Sequence, residues 1–139
     1  MKLALAIMSC IVVMNQAQCT TSDPKYKLYL VEGEKLYMTH CSNCHQSDGM
    51  GLRKVYPPLA SSDFMEQNLE RVICGMKYGM KGDITVNDVM YNQPMPGVMS
   101  LTELELAEIA TYIYNTGDHQ RGLIDVKQVA TIMHSCERP

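Results

Sequence analysis

The 139-residue chain has no tryptophan and a single phenylalanine. So few large aromatic side chains limit the core that a small domain can build for itself, and a large apolar cofactor would become its centre. An excess of basic residues is also missing: 12 Lys and Arg stand against 15 Asp and Glu, a formal charge of −3. That balance argues against nucleic acid as a partner. The longest apolar run, Leu3 to Met14 with Ser9 inside it, is too short to span a bilayer. No internal repeat and no low-complexity stretch occur, so a solenoid or a biased linker is excluded. There is no second CxxC to complete a zinc site, and His134 with Cys136 is only a loose pair.

What is present starts with a leader. Lys2, the short apolar run and the polar Asn15-Gln16-Ala17-Gln18-Cys19 make a secretory signal over residues 1–19. Ala17-Gln18-Cys19 passes as a small-x-small site cut before Thr20, with lipid modification of Cys19 as the other ending. Residues 20–139 then form one mature domain of 120 residues with 11 basic and 15 acidic side chains, since Lys2 leaves with the leader. Export places the chain in a compartment that tolerates disulfides, periplasmic and anchored to a membrane only if lipidated.

The central motif is Cys41-Ser42-Asn43-Cys44-His45. A CxxCH run reads as the attachment site of a c-type haem: two thiols can add to the two porphyrin vinyl groups, and the following histidine is delivered to the iron. With this composition the chance expectation of such a run is on the order of 0.01. Three other uses of the thiols stay open: a thioredoxin-like redox pair, a zinc site, and a plain Cys41–Cys44 disulfide. The first needs a βαβ setting, whereas the residues upstream carry a helical pattern.

That pattern is Gly33, Leu36, Tyr37 and His40, one helix face running into Cys41. Ser22-Asp23-Pro24 is a fair helix start, but Lys25 to Val31 fits helix or extended chain. A glycine inside a helix is costly unless another backbone approaches it, so Gly33 marks a helix crossing. After His45, Tyr56-Pro57-Pro58-Leu59 is extended, and the Pro57 carbonyl is a candidate acceptor for the second ring N–H of an iron-bound His45. Asp63 and Glu66 form a capping box for a helix running to Cys74 and stopped by Gly75. Ile84 to Val86 and Val89 to Tyr91 flank Asn87-Asp88 as a hairpin with a primed turn.

The hairpin leads to Pro94-Met95-Pro96-Gly97. A methionine between two prolines is held extended, so Met95 is the candidate second iron ligand, ahead of Met80, Met90 and Met99. Thr102 and Glu105 cap the clearest helix, with Leu101 stapled to Leu106 and with Leu106, Ile109, Ala110 and Ile113 inward, ending at Asn115-Thr116-Gly117. Val126, Val129, Ala130 and Met133 repeat at helical spacing beyond Gly122. His119 and His134 read as surface or partly packed residues.

The order CxxCH, Pro-Pro-Leu, capped helix, hairpin, Met-Pro-Gly and Leu101 to Ile113 resembles a bacterial class I c-type cytochrome over about residues 30–117. The resemblance implies a mainly α fold, about four to five helices around one covalent haem c, with a small β-hairpin before the distal methionine loop. Residues 118–139 would be a C-terminal extension packed on that fold. Cys41 and Cys44 would hold the haem, with His45 and Met95 as axial ligands and Pro57 orienting His45. Tyr112 would pack against Gly33 and Tyr37. Tyr91, Asn92 and Arg53 are propionate candidates by position.

Counting cysteines then gives a separate expectation. With Cys10 and Cys19 in the leader and Cys41 and Cys44 on the haem, Cys74 and Cys136 remain to pair as a disulfide. The function implied is one-electron transfer between periplasmic or membrane redox partners such as an oxidase, a nitrite reductase or a dehydrogenase, with no catalysis of its own. The alternative is a haem enzyme or gas sensor with a displaceable distal ligand.

Overall fold

The computed structural model describes residues 23–136; the expected leader, residues 1–19, lies outside them. Six helices and one two-stranded sheet occur among the described residues. Two of the helices are only about one turn long, so the larger helices match the expected four to five.

Helix α1 is Pro24–His40. The Asp23 carboxylate accepts the Lys25 amide at 2.9 Å, and Pro24, preset to a helical φ, takes the first position. Those two signals make the ambiguous stretch 25–31 helical. Its buried face is Tyr29, Gly33 and Tyr37, each four apart. His40, expected on that face, is exposed: it shares the stripe of Tyr29 and Gly33 but is the last residue of the helix, past Tyr37, the final buried position. The one-turn α2, Ser42–His45, follows at once.

The helix expected over residues 63–74 is two helices, α3 (Asp63–Gln67) and α4 (Leu69–Tyr78), broken at Asn68. The cap is Ser62, whose hydroxyl accepts the Met65 amide at 3.3 Å, and not Asp63. Asp63 Oδ1 instead accepts the Phe64 and Asn87 amides, both at 2.7 Å, tying α3 to the hairpin. Gly75 does not stop α4; it is buried inside the helix, and Gly79 at φ 85° ends it. The hairpin pairs β1 (Ile84–Val86) with β2 (Val89–Tyr91). Asn87 and Asp88, at φ 49° and 61°, form the expected primed turn.

Helix α5, Glu103–Ile113, carries the predicted capping box, with Glu105 accepting the Thr102 amide at 2.7 Å. Leu101 and Leu106 are both buried, as a staple requires. Helix α6, Val126–Ser135, buries Val129 and Ile132, while Val126, Ala130 and Met133 are half-buried. The core joins α1, α4, α5 and α6, with Ile73, Leu106, Ile109 and Val129 fully enclosed. A Cys74–Cys136 disulfide, bridging 62 residues, fastens the end of α6 to α4.

His119 departs from the surface reading. It is 5% exposed, with its Nε2 atom 2.9 Å from the Leu59 carbonyl oxygen. The partner sits 60 residues away, beyond any local pattern. His134 is exposed, as expected.

Candidate haem site

Three segments meet around one cleft: the end of α1 with α2, the loop 56–59, and the loop after β2. The first brings Cys41, Cys44 and His45. The Tyr37 hydroxyl, buried on α1, donates to the Gln46 carbonyl at 2.6 Å and fixes α2 against α1. Tyr37 also packs on Tyr112 of α5, ring centroids 5.4 Å apart, so the α1–α5 crossing holds the motif in place.

His45 is 7% exposed, and its Nδ1–H donates to the Pro57 carbonyl at 3.0 Å. That assigns the tautomer and leaves Nε2 with its lone pair free. Burial pushes the imidazole below its ordinary pKa, against the opposing pull of the Pro57 carbonyl. The ring is therefore neutral, the form that coordinates a metal. Both thiols are free and half-buried. Burial, with Cys44 beside it, pushes the Cys41 thiol up to about 11, so it is uncharged at neutral pH.

Met95 lies half-buried at the other end of the chain's contribution to the cleft. Its backbone is extended, as the two prolines require, and exchanges two 2.9 Å hydrogen bonds with Met80. Several residues that line the main cleft, among them Cys41, Cys44, His45, Met76, Met95 and Ile109, also line a smaller space beside it.

Of the propionate candidates, Tyr91 is buried at the cleft wall with its hydroxyl 3.4 Å from the Arg53 carbonyl. Arg53 and Asn92 are exposed and do not line it, whereas Gln93 does. Tyr91 and Gln93 stand two apart where the strand runs out, so Asn92 between them faces away from the cleft. Sequence reasoning also missed Gly51. At φ 68° it lies against the Pro57 carbonyl, where a Cβ would come within 2.6 Å of that oxygen. The Gly49-Met50-Gly51 spacing was the available signal.

The family model for cytochrome c matches residues 30–117. The chain belongs to the cytochrome c family. It is 33% identical over 86 residues to a cytochrome c-552 of Thermus thermophilus, a match covering 59% of this chain and 65% of that one. The cytochrome c-552 of a particular strain of the same species is also 33% identical over 86 residues, covering 59% and 57%. The chain thus spans less than two thirds of the length of either relative.

Membership of the cytochrome c family brings covalently bound haem c, and the residues present fit that group. The cleft lies between α2, the loop 56–59 and the Met95 loop, with Ile109 and Ile113 of α5 behind it. Its walls are apolar apart from a few groups, and two thiols and a tautomer-fixed imidazole face it. Among the described residues no helix is long and apolar enough to cross a membrane.

Proposed function

We propose that this cytochrome carries single electrons on one haem, which Cys41 and Cys44 would hold covalently and His45 and Met95 would bind through the iron. The observation that carries this reading is that a neutral, oriented imidazole and a proline-framed thioether, from positions 45 and 95, line one apolar cleft with both thiols. The haem supplies a ferrous–ferric couple whose potential rises with a thioether ligand. The chain's own residues do the rest. Pro57 keeps His45 in one tautomer and orientation, and the apolar walls keep water from the metal. Two protein ligands leave no open position for substrate, which favours a carrier over an enzyme or gas sensor.

The partners are redox proteins, an oxidase, nitrite reductase or dehydrogenase, met in a small transient interface. Transfer takes place outside the cytoplasm, where the leader of residues 1–19 sends the chain. A pyridine haemochrome spectrum followed by a spectroelectrochemical titration tests the proposal. A c-type spectrum and a reversible one-electron transition with no carbon monoxide binding are expected. Absence of the covalent signature, or ready carbon monoxide binding by the reduced protein, overturns it.

A further inference from the structure

The loop that carries Met95 has few attachments. Pro94 and Pro96 are exposed, and prolines donate no backbone hydrogen bond. Among the described residues, the hydrogen bonds from residues 92–101 to other parts of the chain run to residues 76–80, the end of α4 and the turn after it. Met80 exchanges two with Met95, and the Val98 amide donates to the Met76 carbonyl at 2.9 Å. Gly97 lies so close to this end of α4 that a Cβ there would come within 2.6 Å of the Lys77 carbonyl oxygen.

The remaining two bonds come from one side chain. The Lys77 ammonium donates to the Met99 and Leu101 carbonyls, both at 2.6 Å. These carbonyls lie where the loop leaves the ligand and enters α5, and no regular structure satisfies them. We propose that Lys77 is a positioning residue for the Met95 ligand, its ammonium closing the loop that presents the thioether. This rests on the His45/Met95 reading above. Lys77 touches neither the cleft centre nor His45; it acts by making local opening of residues 95–101 costly. Such opening would free the thioether without unfolding the domain.

Imidazole is the probe, added to the oxidised holoprotein, because it occupies the iron only when the thioether leaves. Lys77→Met keeps the stem and removes both donors, and Lys77→Gln keeps an amide donor. Asp125→Ala, at the α6 cap far from the loop, serves as a variant of lowered global stability. Lys77→Met should bind imidazole roughly ten- to a hundredfold more tightly, the factor matching the loss of charged hydrogen bonds. Lys77→Gln should fall between it and the parent, and Asp125→Ala should match the parent. The proposal fails if neither Lys77 variant differs from the parent, or if Asp125→Ala tightens imidazole binding as much. If the parent itself lacks an iron–thioether absorption, the ligand reading fails instead, independently of Lys77.

Discussion

Gly33 of α1 lies against the backbone of Glu108 of α5, where a Cβ would overlap the Glu108 carbonyl oxygen and come within 2.6 Å of its carbon and 2.9 Å of the Tyr112 Cβ. The two helices can cross this closely only because one of them presents no side chain at the contact. Gly33→Ala gains helix propensity, about 1 kcal/mol, but the obstacle is backbone and cannot rotate away. Urea denaturation of the holoprotein should show a net loss of at least about 2 kcal/mol. The Tyr37–Tyr112 packing that seats the CxxCH motif would be disturbed with it.

Gly51 holds the corresponding place for the proximal side. Gly51→Ala would drive the Pro57 carbonyl away from His45 Nδ1, besides placing a Cβ at a left-handed φ. Stability should drop by about 1–3 kcal/mol. With His45 on the iron as proposed above, the reduction potential should rise, because a weaker acceptor makes the imidazole a poorer donor to the ferric iron. Cyclic voltammetry reads the direction.

The disulfide gives a third expectation. Cys74 and Cys136 close a separation of 62 residues, which in the chain-entropy model stabilises by at most about 4 kcal/mol. A haem held at Cys41 and Cys44, as proposed above, would already restrain the unfolded chain, so Cys74→Ser with Cys136→Ser should cost the holoprotein less than that. Alkylation without reductant should leave both residues unmodified in the unfolded oxidised protein.

Glu108 sets an acid dependence. The residue is 8% exposed, with its carboxyl group towards the surface, and burial first, then the Glu32 and Glu105 carboxylates, hold its pKa above the ordinary 4.5. The folded state therefore binds this proton more tightly than the unfolded chain, so ionisation of Glu108 costs stability above the raised pKa. Glu108→Gln should be more stable near neutrality by under about 1 kcal/mol. The advantage should shrink as pH falls through the raised value towards 4.5, as paired denaturation curves would show.

How much of this was legible in sequence followed the range of the interaction concerned. The Asn87-Asp88 turn and the Thr102 capping box each act within a few residues, and the structure builds them as read, while CxxCH and the Pro-Met-Pro frame bring Cys41, Cys44, His45 and Met95 to the wall of one cleft. Asp63 looked like a cap because Glu66 stands three residues on, yet Ser62 does the capping and Asp63 binds Asn87 of the hairpin. Gly75 read as a stop but lies beside Met80, where a Cβ would come within 2.7 Å of its side chain. His119 and Lys77 were invisible for one reason. Their partners, Leu59 on one side and Met99 with Leu101 on the other, are backbone carbonyls brought near only by the fold.

The central claim is that Met95 completes the coordination of a carrier haem opposite His45. The near-infrared absorption of the oxidised holoprotein, compared with Met95→Ala, tests it most directly. The weak iron–thioether band should be present in the parent and absent in Met95→Ala, with the variant alone binding carbon monoxide readily when reduced. A parent without the band, or a Met95→Ala protein that keeps it, would contradict the account.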